Sequence, residues 1–412
     1  MDIVNKILRY MEKEAYNPLL IEELFQAVSI EGMEYEKLKS TLDYMEVEGL
    51  VVKTRRKRYG IPERMNLVVG RLQGSQKGYA FLIPDKPNIG DLYISADDLR
   101  GAMHNDKVIA RITRGSTSTS KKEGEVIRIL KRANPRIVGT FEQSKSFGFV
   151  VPDDRRIYQD IFVSRDDFAQ AKEGYKVVVE ITKLPEGRRN PEGKVIEVIG
   201  HKGEANVDIL SIIKKYDLPE EFSKGVKKQV SKIPQEVTEE SISARKDLRD
   251  RTIMTIDGED AKDLDDAISL EILENGNYFL GVHIADVSHY VFEKSPIDKE
   301  ALKRGTSVYL LNRVIPMLPK ELSNGICSLN PNVDRFCLSC DMEINEEGKV
   351  VSYDIYESII NSKERMTYSD VNKILDGSEM ELLKKYESLV DTFKDMEALM
   401  KILREKRKIR GS

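Results

Sequence analysis

At 412 residues, 40% of them hydrophobic, the chain is long enough for several domains with buried cores of their own. Its 66 basic and 70 acidic residues leave a formal net charge of −4, which argues against a generic nucleic-acid binder but not against one whose basic residues are clustered. It has no apolar run long enough for a membrane span, its start (Met1-Asp2-Ile3-Val4-Asn5-Lys6) lacks the layout of a signal peptide, and three cysteines make an odd count for a disulfide framework, so a cytoplasmic protein away from membranes is expected.

Residues 1–64 are predicted to form a winged helix-turn-helix. Ile3, Val4, Ile7, Leu8 and Met11 share one helical face; Ile21, Leu24, Phe25 and Val28 share a second; Tyr35, Leu38, Leu42 and Met45 share a third. A hairpin then carries Lys53-Thr54-Arg55-Arg56-Lys57-Arg58, five basic residues in six, read either as a nucleic-acid contact or as a solvated wing. The third helix bears Glu34, Glu36, Asp43, Glu46 and Glu48 against Lys37 and Lys39, a poor match for a phosphate-lined groove. That argues against a sequence-specific regulator of DNA.

An internal repeat follows. Val69-Gly70-Arg71-Leu72, Gly78-Tyr79-Ala80-Phe81-Leu82-Ile83-Pro84-Asp85 and Asp91-Leu92-Tyr93-Ile94-Ser95 recur as Val138-Gly139-Thr140-Phe141, Ser146-Phe147-Gly148-Phe149-Val150-Val151-Pro152-Asp153 and Asp160-Ile161-Phe162-Val163-Ser164, most elements 69 positions later. Short alternating strands in both copies predict two small OB-fold β-barrels, at 65–133 and 134–202. Tyr79, Phe81 and Tyr93, and again Phe147, Phe149 and Phe162, fall on one face of adjacent strands, with Lys77 and Lys145 beside them. Two readings compete: core packing, and a stacking platform for unpaired bases. The recurrence of the trio favours stacking. The stretches around Tyr79 and Tyr93 resemble the two RNA-binding motifs of cold-shock domains; Ser146 stands where the motif has glycine. Arg114–Lys122 is a polar insertion, either a linker or a long loop of the first barrel.

From about residue 203 the texture becomes mixed α and β, to the end at 412. Here Asp257-Gly258-Glu259-Asp260-Ala261-Lys262-Asp263-Leu264-Asp265-Asp266 places six carboxylates in ten residues. Such repulsion is tolerable in a cleft if a hard cation sits among the groups. An EF-hand fails, because Lys262 stands where its glycine is needed and Ile268 where its glutamate is. A solvated acidic loop and a catalytic metal site remain. The apolar flanks Ile256 and Ala267-Ile268 favour the metal site, with Mg²⁺ and phosphodiester hydrolysis as its chemistry.

Three further motifs narrow this: Val282-His283-Ile284-Ala285-Asp286-Val287-Ser288-His289-Tyr290, Arg304-Gly305-Thr306-Ser307-Val308-Tyr309-Leu310-Leu311 and Leu322-Ser323-Asn324-Gly325-Ile326-Cys327-Ser328-Leu329-Asn330. With the acidic cluster, they closely resemble the catalytic domain of the RNase II/RNase R family. The predicted order of winged helix, two barrels and catalytic domain fits that family too. The resemblance implies a processive 3′-to-5′ exoribonuclease of RNA turnover and quality control, releasing nucleoside 5′-monophosphates with Mg²⁺. Asp257, Asp263, Asp265 and Asp266 match the metal-site aspartates. Asp265 matches the one whose loss abolishes cleavage but not RNA binding, and Tyr309 the tyrosine that packs near the terminal nucleotides. The substrates implied are single-stranded RNA and RNA with 3′ overhangs, acted on by a monomer, with the ribosome or degradation machinery as partners. By the same resemblance the sequence stops inside the catalytic domain, before an arginine at the scissile phosphate, a phenylalanine that stacks on the 3′ end, a further OB-type domain and a basic tail. The alternative is a non-catalytic RNA-binding chaperone built on the barrels.

Three features are set aside. Cys337 and Cys340 lack enough partners for zinc and are read as structural thiols, and His283 and His289 as structural histidines. A charged helix from about Glu379 repeats Leu382, Leu389, Met396 and Leu403 every seven residues, and docking on the catalytic domain is preferred to a coiled coil.

Overall fold

The computed structural model describes all residues except 1–2, 15–16, 29–33, 116–121, 186, 188, 239–241, 243–244 and 412. It divides into two units, Met1–Leu218 and Pro219–Ser412.

The first unit opens with helices α1 (Ile3–Lys13), α2 (Ile21–Ala27) and α3 (Tyr35–Val47) and a hairpin of β1 (Val52–Lys53) and β2 (Tyr59–Gly60). Helical periodicity gathers Ile7, Met11, Leu24, Leu38, Leu42 and Met45 into one core closed by Val51 and Tyr59. The basic hairpin is not uniform. Arg58 turns inward to Glu23 at 3.0 Å and to the Pro18 carbonyl at 3.1 Å, leaving Arg55, Arg56 and Lys57 exposed. Helix α3 is partly occupied as well: Glu46 accepts from Arg128 at 2.6 Å, and the Glu48 carbonyl accepts from Lys107 at 2.7 Å. Gly49, at φ +74°, lets the chain pass so close to the first barrel that a Cβ would lie 2.6 Å from Val69 and 2.7 Å from Leu130.

The first barrel closes β3 (Leu67–Gly74), β4 (Ala80–Pro84), β5 (Leu92–Ile94), β6 (Lys107–Arg114) and β7 (Glu123–Lys131) in the order β3-β4-β5-β7-β6. The second repeats that path with β8 (Arg136–Gln143), β9 (Phe147–Pro152), β10 (Ile161–Ser164), β11 (Tyr175–Lys183) and β12 (Glu192–His201). The repeat extends to register, since Gly70 faces Pro84 as Gly139 faces Pro152. It extends to side chains too: Ser95 bonds Asp98 and Ser164 bonds Asp167, each at 2.6 Å. The insertion after Arg114 joins β6 to β7 within the first barrel, and its residues 116–121 lie outside those described. Helix α4 (Val207–Lys215) follows the second barrel.

The second unit is built on a seven-stranded sheet in the order β13 (Lys246–Asp247), β20 (Val350–Asn361), β19 (Asp334–Ile344), β16 (Tyr278–Ala285), β15 (Asp266–Ile272), β14 (Met254–Asp257) and β21 (Glu364–Thr367). Strands β15 and β16 form a hairpin turned at Gly276, and β14 runs parallel to β21. The alternation of β15 assigns its faces. Ala267 joins a core with Val226 and Val230 of α5 (Lys224–Val230) and Ile297 of α6 (Pro296–Arg304). Ile268 and Leu270 turn to the other face, where α7 (Tyr368–Asp376), α8 (Met380–Lys385) and α9 (Val390–Ile409) supply Ile374, Leu382, Phe393 and Leu399. A short hairpin of β17 (Val308–Leu310) and β18 (Arg313–Ile315) stands apart from the sheet.

The C-terminal charged segment is not one continuous helix. It breaks between α8 and α9 through a turn at Glu387–Leu389, which lets Tyr386, Leu389 and Phe393 all bury in one cluster. The heptad residues Leu382, Leu389, Met396 and Leu403 pack into clusters shared with the sheet, so the repeat is a docking face.

Candidate active site

The acidic loop is delivered by two neighbouring strands: β14 ends at Asp257 and β15 begins at Asp266. Its path is fixed from the core outward. Leu264 is buried, its amide donates to Ser328 Oγ at 3.1 Å, and its carbonyl accepts from the Leu329 amide at 2.9 Å. In an extended stretch successive side chains alternate, so burying Leu264 turns Asp263 and Asp265 outward. Ser328 Oγ also donates to the Lys262 carbonyl at 2.9 Å, and the Asp265 carbonyl accepts from the Ala285 amide at 2.9 Å.

Asp257, Asp260, Asp263, Asp265 and Tyr309 line one cleft of about 630 Å³, with Lys320 at its wall. Tyr309, exposed on the β17–β18 hairpin, reaches over and donates its hydroxyl to Asp263 Oδ2 at 2.9 Å. That bond, first among several causes, raises the tyrosine's pKa. The carboxyl of Asp257 is held above its usual range by desolvation and by the charges of Asp266 and Asp263, while Arg365 opposes the rise. Asp265 is raised by desolvation and by Asp263, Asp266 and Asp257. Because Asp265 stays exposed, the mutual repulsion is the more telling cause.

So the four predicted aspartates act on one another electrostatically, and three of them share the cleft. Glu259, from the same run, is turned away and accepts a hydrogen bond from Ser369. Among the described residues, no three His, Cys, Asp or Glu side chains are already gathered tightly enough to hold a metal ion. The donor chemistry nevertheless suits a hard divalent cation, because every candidate ligand is a carboxylate oxygen and added positive charge would relieve the repulsion.

The barrel aromatics lie outside the barrel cores. Ala80, Leu82, Leu92 and Ile94 point inward, while Tyr79, Phe81 and Tyr93 are half-buried on the outer face with centroids 5.4–5.9 Å apart. Phe147, Phe149 and Phe162 repeat the cluster at 5.6–5.9 Å on the second barrel. Phe81 faces Tyr93 across its ladder as Phe149 faces Phe162. Lys77 and Lys145 are exposed beside the two groups.

The residues set aside in the sequence sit in packed surroundings to differing degrees. His283 is fully buried, with Nε2 3.2 Å from Ser269 Oγ and Nδ1 2.7 Å from Ser339 Oγ, and burial pulls its pKa down to about 4. His289 packs edge-on against Phe336. All three cysteines are free, and burial pushes Cys327 up to about 12 and Cys337 higher still. Sequence reasoning missed the groups that brace the loop, Ser328 and Arg365. Ser328 does lie within the Leu322–Asn330 motif, whereas Arg365 lies in none of the motifs above.

Residues 245–412 match the RNB domain, residues 70–129 the ribonuclease B OB domain and residues 149–223 the cold shock domain. Ribonuclease R of Thermotoga maritima is 44% identical over 98% of this chain and 56% of its own length. Ribonuclease R of Acidithiobacillus ferrooxidans is 38% identical over 98% of this chain and 92% of its own. Among solved structures, Mycoplasma genitalium RNase R in complex with ribose methylated single-stranded RNA has a TM-score of 0.76 at 28% identity, over 83% of this chain and 54% of that one. The chain spans about half the length of most curated relatives it matches. An RNB domain that follows OB-type barrels defines the class. The chain belongs to the ribonuclease R family.

Proposed function

We propose that this chain carries the RNA-binding and metal-binding parts of a processive 3′-to-5′ exoribonuclease. It takes single-stranded RNA and RNA with 3′ overhangs and releases nucleoside 5′-monophosphates. In this reading residues 1–64 are a winged helix-turn-helix, 65–133 and 134–202 are RNA-binding barrels, and 203–412 belong to the RNB catalytic domain. The observation that carries it is the convergence of Asp257, Asp263, Asp265 and Tyr309 on one cleft.

Asp257, Asp263, Asp265 and Asp266 would hold Mg²⁺. When bound, the cation supplies charge neutralisation at the scissile phosphate and acidifies the attacking water. Tyr309 orients Asp263 through its hydroxyl and offers an exposed ring to the terminal nucleotides. The aromatic trios stack unpaired bases, and Lys77 contributes charge to the backbone.

A chaperone built on the barrels alone needs no mutually repelling carboxylates in a second unit, which favours the nuclease. The test uses oligoribonucleotides labelled at either end, with Mg²⁺ or with chelator. Mg²⁺-dependent release of mononucleotides from the 3′ end is expected; binding with no monophosphate release under any condition would leave the chaperone.

Phe81→Ala and Phe149→Ala should each weaken binding of an unstructured oligoribonucleotide by about 1–3 kcal/mol, the usual worth of a base stacked on a ring. Because both rings lie outside the barrel cores, unfolding midpoints should change little. Fluorescence anisotropy beside thermal melts checks this. A large stability loss with unchanged affinity would return the aromatics to a packing role.

A further inference from the structure

Arg365 lies on β21, in register with Thr255 of β14. Its Nη2 donates to three carbonyls of the acidic loop: Gly258 at 3.3 Å, Glu259 at 2.8 Å and Ala261 at 2.9 Å. A guanidinium beside an acidic cluster would ordinarily take a carboxylate, because charge-assisted pairs are the stronger ones. Here the recorded bonds go to backbone oxygens. They fix the chain between Asp257 and Asp263, while Ser328 and Leu329 fix the stretch from Lys262 to Leu264 from elsewhere in the fold.

We infer that Arg365 is a positioning residue of the nuclease centre: by gathering the carbonyls of Gly258, Glu259 and Ala261 it sets the spacing of Asp257 from Asp263 and Asp265, and it does so without hydrogen-bonding their carboxylates, which stay available to a cation. The inference rests on the function proposed above. It gives the loop a built-in geometry in place of one imposed only when substrate arrives, and a misplacement on the order of 1 Å at such a centre costs roughly 10²-fold in rate. Lysine is a poor substitute, because the planar guanidinium holds Nη2 and its N–H groups in a fixed direction, whereas an ammonium rotates on a flexible stem.

The test compares the full chain with Arg365→Lys, Arg365→Met and Asp265→Asn. Two quantities are read: nucleotide release over a range of RNA concentrations, and deuterium uptake of residues 257–266 without RNA or cation. Both Arg365 variants should lower kcat by about 10- to 100-fold with KM within about twofold. Both should speed exchange in the loop by about tenfold or more while strand β19 stays protected. Loss in the lysine variant, which keeps the charge, assigns the role to geometry. If Arg365→Met does not fold, Arg365→Lys carries both readouts. Unchanged loop exchange, or kcat within about twofold of the parent, overturns the inference. The two ideas fail separately. A parent chain that releases no nucleotide, or an Asp265→Asn variant that still does, counts against the proposed function, while the exchange measurement judges Arg365 without any activity.

Discussion

Asp265→Asn is expected to reduce nucleotide release by at least roughly 10³-fold, with affinity for single-stranded RNA within about twofold of the parent. The amide keeps the size of the side chain and removes its charge. Asp265 faces the cleft with Asp257 and Asp263, and Asp266 adds to the repulsion it feels. Removing one of four like charges relieves the others, so the variant should melt no lower than the parent when no cation is present. A functional centre built at the expense of stability behaves in this way. The stabilisation that Mg²⁺ gives the parent should shrink or vanish, since a ligand raises the melting temperature only by binding the folded state. Normal cleavage by this variant would remove Asp265 from the chemistry.

Asp286→Ala should act in the opposite manner, through stability. Asp286 belongs to a motif visible in the sequence, yet its partners could not be read there. Arg245 Nη2 meets its Oδ2 at 2.5 Å, with both side chains under 10% exposed. Asp286 also accepts from Ser288 Oγ at 2.6 Å and from the His289 amide at 3.2 Å, capping the short turn Val287–His289. The Arg245 guanidinium lies 4.4 Å from the centre of the Phe336 ring. Truncating Asp286 leaves the buried Arg245 only longer contacts, such as those to Glu357 at 3.6 Å and the Cys337 carbonyl at 3.4 Å, a loss of about 3–5 kcal/mol. Chemical denaturation should show it as a lower midpoint at unchanged slope, and Asp286→Asn, which can still accept hydrogen bonds, should lose less. An unfolding free energy within about 0.5 kcal/mol of the parent's would mean that water reaches this pair freely.

Local pattern carried much of the architecture. The three N-terminal helices and the β15–β16 hairpin follow from helical and alternating periodicity, and the turn at Asn275-Gly276 was legible as dipeptide chemistry. The repeat pointed to two barrels but not to their closing strands. Strands β7 and β12 fall beyond polar insertions, and each closes its barrel through a parallel pairing with a strand distant in sequence. At the candidate site the carboxylates stood out because they are adjacent in the chain. Arg365 did not, because the loop it braces lies about a hundred residues earlier and its partners are carbonyls, which every residue type carries. The break after α8 was hidden for a related reason: a heptad of leucines reads the same on one helix as on two that share a docking surface.

Gly49 shows how unevenly the first 64 residues are open to change. The exposed Arg55, Arg56 and Lys57 could be exchanged over generations with little consequence for how this part of the chain folds. At Gly49 the left-handed backbone and the close approach of Val69 and Leu130 both oppose a side chain. The position with least chemistry of its own is therefore among those with least evolutionary latitude, and a lineage that reshaped the neighbouring hairpin would have to do so around it.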